Sequence, residues 1–447
     1  MSSVKKLAIR GSLWTIAGYG ASQVLRFGNN LILARLLVPD LFGLMALVNV
    51  FIIGLHLFSD IGIGQSIIQN KRGDDPVFLN TAWTMQAIRG VVLWIGSILI
   101  AYPVSVLYKE PQLLWLIPSV GLTTIINGFN STSMYTLNRQ IALGKLAVFE
   151  LGGQIISLAV TVIWAYFNPT VWALVSGGLV GAIVQLVWSH RLVPDFSDRF
   201  AWDKTSAQSI FSFGKWVFFG TLLTFFATQS DRLILAKYVP LSVLGVYGIA
   251  FGLADIPRQV ILALSGKVLF PAFSKMIDLP RETFRAKILK NRFPLLLALS
   301  VGLTFLVSFG DIVIRFLYKP AFHEAAWMMP IIAMGIWHTS LYSSISPALL
   351  AIGKPIYNAQ GFLLTFLTIS IGLPFAFNNY GMVGAMVVIA FNDFPLYCAI
   401  LYGLWREKLF CLGQDLKVTA IFLSLLTVTL LSRYYLGWGL PISQILR

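Results

Sequence analysis

The chain has 447 residues, 57% of them hydrophobic and only 11% charged, with a formal net charge of +15 and a mean hydropathy of +0.78. A soluble domain carries about 25% charged residues, so no water-facing surface can be built from this composition. The apolar residues fall in blocks of about 20, long enough to cross a bilayer, and the positive excess is concentrated in loops on one side of them, which excludes a nucleic-acid partner.

Lys5, Lys6 and Arg10 precede an apolar segment too long for a signal peptide, with no small-residue cleavage site behind it, so no cleaved leader is expected. Hydropathy and helix breakers predict thirteen spans, near 12–34, 41–59, 78–102, 112–134, 144–167, 170–190, 210–236, 242–266, 291–316, 326–351, 355–377, 380–404 and 414–436. In the first span, Ser12, Thr15, Tyr19, Ser22, Gln23, Arg26, Asn29 and Asn30 fall within an arc of about 120° at 100° per residue. A polar stripe in a membrane helix must turn away from lipid. The longest hydrophilic loops, 191–209 and 267–290, are too short for a catalytic domain. Residues 273–292, FSKMIDLPRETFRAKILKNR, mix cations with apolar residues and are expected to form a short interfacial helix on anionic lipid.

Of the 33 lysines and arginines, 21 lie on the side of the N-terminus, 6 on the other and 6 within spans. The N-terminus is therefore expected in the cytoplasm. The chain also repeats itself at an offset of 202 residues: Trp14 with Trp216, Gly18 with Gly220, LILA at 31–34 with LILA at 233–236, and Gly43 with Gly245. Thr221, Thr224, Thr228, Asp231 and Arg232 repeat the polar arc. Six spans separate the copies, so both run in the same direction. The expected fold class is all-α. It is a polytopic transmembrane bundle of two six-helix lobes, 1–200 and 201–410, in a parallel pseudo-twofold repeat around a central cavity. One further C-terminal helix occupies 411–447.

Chemistry-bearing patterns are few. Cys398 and Cys411 form no CxxC pair, His56, His190, His323 and His338 make no HExxH, and no GxxxxGK[ST] loop is present, so no catalytic residue, metal or cofactor is expected. The informative residues are ionisable groups inside spans. Each costs about 2.5–3.5 kcal/mol at a helix centre and calls for a partner, water or a function. Arg26, Arg89, Arg232 and Arg258, with Gln23 and Asn30, are read as lining a substrate cavity. Arg26 and Arg258 are placed at an anion, since guanidinium pairs well with phosphate oxygens. Asp231, Asp255 and Asp393 are read as ion-coupling acids, although Asp255 and Arg258, at i and i+3, could instead satisfy each other. Pro118, Pro257, Pro347, Pro374 and Pro395 permit bending within spans.

These residues carry a family resemblance. GSLWTIAGYGASQVLRFGNNLILARLLVPDLFGLMALVNVF, FSDIGIGQSIIQ and NTAW resemble the N-terminal half of Wzx-type polysaccharide flippases, in the multidrug/oligosaccharidyl-lipid/polysaccharide exporter superfamily. QSDRLILAKYVPLSVLGVYGIAFGLADIPRQV and VLFPAFSK are similar to the same family's seventh and eighth helices. Asp60, Gly62, Gly64 and Gln69 match the end of its second helix, and Asp231, Gly245, Tyr247, Pro257 and Pro271 match the later pair. Arg258 falls at a position often basic there, whereas Arg26 and Arg89 align with no motif. The resemblance implies a cargo of undecaprenyl-diphosphate-linked oligosaccharide, flipped outward across the bacterial inner membrane for surface polysaccharide synthesis. Membrane lipids, a polymerase and a chain-length regulator are the implied partners. Relatives usually have fourteen spans against the thirteen read here, so a role of a last helix pair in holding the lipid tail is not expected. A cation-coupled drug exporter is disfavoured by the excess of buried arginine over acid. A membrane polymerase or ligase is disfavoured by outward loops as short as Phe167-Asn168-Pro169, and an inert scaffold by the buried ionic stripe.

Overall fold

The computed structural model describes residues 3–140, 142–193 and 196–443, without the side chains of 3–13, 15–16, 213–217 and 219. Lys5, Lys6, Arg10, Ser12, Thr15 and Trp216 therefore lie outside the described side chains. The described residues are helical, with no strand among them. The first half contains α1 (Ser3–Leu36), α2 (Pro39–Phe58), α3 (Ile63–Gln69), α4 (Pro76–Tyr108), α5 (Leu113–Gly128), α6 (Ser133–Arg139), α7 (Leu143–Phe167) and α8 (Val171–Ser189). Next come α9 (Lys204–Tyr238), α10 (Leu241–Ala254), α11 (Ile256–Leu264), α12 (Phe270–Ser274), α13 (Arg281–Leu317), α14 (Ala325–Ser343), α15 (Ser346–Ala351), α16 (Ile356–Phe391), α17 (Phe394–Arg406) and α18 (Leu412–Tyr435). Each of the thirteen expected spans falls on one of these helices or on a broken pair of them. Eight helices among the described residues are long and apolar enough to cross a bilayer, nine if the bent pair α5–α6 is one span. Leu99, Phe316 and Ile371 are among many large apolar side chains left exposed, the surface of a multi-pass membrane protein rather than a soluble one.

The chain divides into two compact units, Met1–Phe225 and Phe226–Arg447. In the first, α4 packs on α5, α7 on α8 and α1 on α7. The α4–α5 contact is backbone to backbone: a Cβ placed on Gly90 would come 2.6 Å from the Thr124 carbonyl oxygen and 3.0 Å from Gly128 Cα. Between α2 and α3 the helix is interrupted at Gly62, whose φ of 63° lies in the left-handed region that glycine enters without strain. The Asp60 carboxylate accepts the Gly62 N–H at 2.9 Å and fixes the turn. Arg139 caps the far end of α3, donating to the carbonyls of Ile67, Ile68 and Asn70.

In the second unit the helices break where proline starts a new one. Pro257, Pro347 and Pro395 occupy the first turns of α11, α15 and α17, where a missing N–H is harmless. Pro118 and Pro374 lie inside α5 and α16. Gly381, at φ 60° and ψ −149°, interrupts α16 in a conformation essentially restricted to glycine. That break separates the two spans expected at 355–377 and 380–404. The interfacial helix expected between 273 and 292 is not separate: α13 begins at Arg281 and continues unbroken for 37 residues. Arg, Lys and Glu are strong helix formers and carry the helix out beyond its apolar part.

α18 is fixed to α13 by two buried ion pairs. Arg292, 1% exposed, pairs with Asp415, and its guanidinium also donates to Ser344 Oγ at 2.7 Å and to the Leu341 carbonyl at 2.6 Å. Asp415 accepts in addition from the Tyr397 hydroxyl at 2.8 Å. Arg433 forks onto both oxygens of Asp311 at 2.6 Å. Nineteen residues separate Arg292 from Asp311, and eighteen separate Asp415 from Arg433. The two helices therefore run parallel, with clamps about 28 Å apart at 1.5 Å per residue, close to the thickness of a bilayer's hydrocarbon core.

Candidate functional site

The first unit holds a partly open cavity of about 560 Å³ with polar groups in its wall, within the range typical of small-molecule sites. The local breaks described above build it. The α2 end contributes His56 and Asp60, α3 contributes Gln65, and α4 contributes Gln86 and Arg89. α5 and α6, bent by 62° at their junction, supply Asn127, Asn130, Tyr135 and Asn138. The bend is tied down by buried polar contacts. Ser131 N–H donates to Ser189 Oγ at 2.9 Å, Thr132 Oγ1 to Asp198 at 2.7 Å, and Ser133 Oγ to the Ser189 carbonyl at 3.0 Å.

Arg89 is half-buried at the cavity wall. Its Nε donates to Ser59 Oγ at 2.9 Å and its Nη2 to the His56 carbonyl at 2.7 Å. Both partners are neutral, and no carboxylate lies within ion-pair distance among the described residues, although Asp60 lines the same cavity. Gln86 donates through Nε2 to three backbone carbonyls freed by the α5–α6 break, those of Asn127, Gly128 and Asn130, at 3.4, 3.1 and 3.0 Å. Gln86 Oε1 and Asn130 Oδ1 are buried without a donor among the described residues.

The other sequence-predicted residues lie elsewhere. Arg26 on α1 is exposed, with no hydrogen-bond or ion-pair partner among the described residues, and Asn30 is half-buried one turn on. Gln23 donates to the Tyr19 hydroxyl at 3.0 Å. The remaining ionic residues gather in the second unit. Asp231 on α9 is 3% exposed; it accepts from the Tyr247 hydroxyl, and its Oδ1 has no partner among the described residues. Arg232 donates to Gln229 at 2.9 Å and stacks over Phe251 at 4.9 Å. Asp255 stands directly before α11 and pairs with Arg258 at 3.7 Å, while Gln259 donates to its second oxygen at 3.0 Å. The i, i+3 pairing open from the sequence is thus made. Asp393, 7% exposed, stands before α17 and accepts from Thr339 Oγ1 at 2.5 Å and Tyr342 at 3.4 Å. Arg258 feels the charges of Asp393, Asp255 and Asp231.

Within the second unit the structure brings Asp231, Asp255 and Asp393 into one neighbourhood with Arg232 and Arg258. Sequence reasoning missed Gln86, Asn127, Asn130, Tyr135 and Asn138. The available signal was a run of amides through the fourth span and beyond it, together with Gln86 three residues before Arg89 on one face of the third.

Apolar helices facing outward, with a cation- and amide-lined chamber and a buried acid cluster inside, define a multi-pass membrane protein built around polar interior sites. The fold matches that of the lipid II flippase MurJ in an inward closed conformation, with a TM-score of 0.72 and 15% identity over 93% of this chain and 92% of that one. It also matches an inward-facing multidrug resistance MATE family transporter of the MOP superfamily, with a TM-score of 0.68 and 13% identity over 86% and 94%. Residues 32–326 match the family described as polysaccharide biosynthesis protein, and the chain belongs to that family. The lipopolysaccharide biosynthesis protein WzxC of Escherichia coli K12 is 25% identical over 67% of this chain. The succinoglycan biosynthesis transport protein ExoT of Rhizobium meliloti is 25% identical over 61%. The matches span 62% and 55% of the length of those two proteins. The resemblance to Wzx-type flippases and their superfamily is borne out.

Proposed function

We propose that the chain is a secondary transporter that flips undecaprenyl-diphosphate-linked oligosaccharide repeat units from the inner to the outer leaflet of the bacterial cytoplasmic membrane, with its N-terminus in the cytoplasm. The observation that carries this reading is the cavity at Arg89. A guanidinium held by neutral partners, among amides and inside an apolar helical unit, suits the polar head of an amphiphile whose tail stays in lipid. Family membership supports the same cargo class. The fold alone does not separate it from drug export, because MATE transporters share it.

Within this reading Arg26, exposed and without a partner among the described residues, with Gln23 and Asn30 beside it on α1, takes the diphosphate. Arg258 and Arg232 are already engaged by acid, amide and ring, and serve with Asp231, Asp255 and Asp393 as the coupling centre. A polymerase and a chain-length regulator are the partners that would consume the flipped unit. The experiment is leaflet-resolved labelling of the lipid-linked oligosaccharide in a strain carrying only the variant transporter. Arg89→Ala, inserted at normal levels, should trap the precursor on the cytoplasmic leaflet, and Arg89→Lys should retain partial flipping because charge survives while the fork is lost. Wild-type flipping by Arg89→Ala overturns the cavity's role. For the coupling centre, Asn at both Asp255 and Asp393 should remove the response of transport to a pH gradient in vesicles; an unchanged response excludes coupling through these acids.

A further inference from the structure

We propose that the second unit carries a site for one anionic phospholipid, in which Lys287 and Lys290 on α13 hold the phosphate while the tails lie along the same helix face. The pattern of α13 picks out that face. At 100° per residue, Lys287, Lys290, Val301, Phe305, Ile312 and Phe316 fall within an arc of about 80°, and all six are exposed. An exposed apolar stripe on a membrane helix meets lipid tails, so the two lysines stand at the head of a lipid-facing stripe. Another face of the same turns is packed. Phe284, Ile288 and Arg292, at i, i+4 and i+8, are buried, Phe284 meets Phe273 edge-on at 6.2 Å, and Gln414 donates to the Leu289 carbonyl at 2.7 Å. This packing fixes the rotation of the helix and holds the lysines outward.

Depth fits a phosphate. The clamps at Arg292 and Arg433 span about the thickness of the hydrocarbon core. Lys290 and Lys287, two and five residues before Arg292, lie about 3 and 8 Å further out along the helix. The polar zone of one leaflet is about 5–8 Å deep, so both ammonium groups fall in or at the edge of it. Charge fits as well. Neither lysine has a hydrogen-bond or ion-pair partner among the described residues, whereas the nearby Arg285 is engaged, its Nε donating to the Phe410 carbonyl at 2.6 Å. The acid of residues 281–292, Glu282, points about 140° away from Lys287. Each cation near the surface attracts anionic lipid, and two of them one turn apart can grip a single phosphate. The site is separate from the cargo cavity, so its failure leaves the transport reading untouched.

The test uses the full-length protein in phosphatidylcholine nanodiscs. Asn291→Cys, exposed and one turn from Lys287, carries a bimane fluorophore in a Cys398→Ser background, Cys411 being buried. The probes are phosphatidylglycerol and phosphatidylcholine brominated on the tail near the head group. Half-maximal quenching should need about fivefold less phosphatidylglycerol than phosphatidylcholine, the weight of one cation at a lipid surface. Lys287→Gln with Lys290→Gln should remove that difference and keep the quenching by phosphatidylcholine, which reports a folded variant with its stripe in lipid. Lys287→Arg with Lys290→Arg should preserve the difference, because the charge remains. Excess inorganic phosphate at constant ionic strength should leave the difference in place; if it abolishes the difference, the lysines take a free anion and the lipid site is wrong. Equal quenching by the two lipids before the lysines are changed, a preference that survives the double Gln variant, or no quenching by either lipid also overturns the site.

Discussion

Replacing Arg292 with alanine leaves the Asp415 carboxylate 1% exposed with its counter-charge gone and only Tyr397 and Cys411 beside it. Removing one partner of a buried ion pair typically costs about 3–5 kcal/mol. The loss here belongs at the upper end, because the same guanidinium also satisfies Ser344 and the Leu341 carbonyl. Arg292→Lys should recover part of it, keeping the charge and losing the multiple donors. Arg292→Met with Asp415→Leu should be far milder than either single change, since no charge is then left buried alone. The measurement is a double-mutant cycle from denaturant unfolding of the purified protein in micelles, with the coupling energy read from the four midpoints. If Arg292→Ala unfolds within about 1 kcal/mol of wild type, or if the two single losses simply add in the double variant, the pair does not hold α18 in the way described.

Gly90→Ala should force α4 away from α5, because its Cβ would meet backbone at 2.6 Å; a loss of about 1–3 kcal/mol is expected, and an unchanged unfolding midpoint refutes the close packing. Reporters fused after residue 200 or 280 should read cytoplasmic and one near residue 168 periplasmic, and opposite readings at two of these sites end the proposed parallel repeat. Ser206 and Thr205 hydroxyls with the Ser206 N–H hold the Asp203 carboxyl well below the usual range at the start of α9. Its folded value lies below the unfolded one, so the cap's contribution is complete above about pH 4 and is lost as pH falls further. Amide exchange at residues 205–207 should therefore be equally protected at pH 5 and pH 7 and rise only in stronger acid; a rise between pH 7 and pH 5 contradicts this.

The helices were legible because a bilayer permits little besides continuous apolar helix, and the Asp-x-Pro sequences at 255–257 and 393–395 stand at breaks between them. Arg292 and Arg433 were not legible for what they are. Each stands at the polar end of a span and reads as a loop cation, and the acid that buries it lies more than 120 residues away along the chain. Removing one cation from each side leaves the charge asymmetry intact, so the topology argument survives the error. The cavity was only half legible. Arg89 stood out by its cost in a membrane helix, whereas the amides around it are cheap enough singly to pass unnoticed and become a site only when the bend after Gly128 turns them toward α4.

The two clamps between α13 and α18 also act as a direction code. α13 carries a cation near its start and an anion near its end, and α18 carries the reverse order. Packed in parallel, each charge meets its opposite. Were α18 inserted upside down, Arg292 would face Arg433 and Asp311 would face Asp415, two buried like-charge contacts at the two ends of one interface. The order of charges along the two helices therefore favours the parallel packing over the antiparallel one at both ends of the interface. Arg433, which the expected topology puts at the end opposite to most of the cations, is once docked part of a neutral pair.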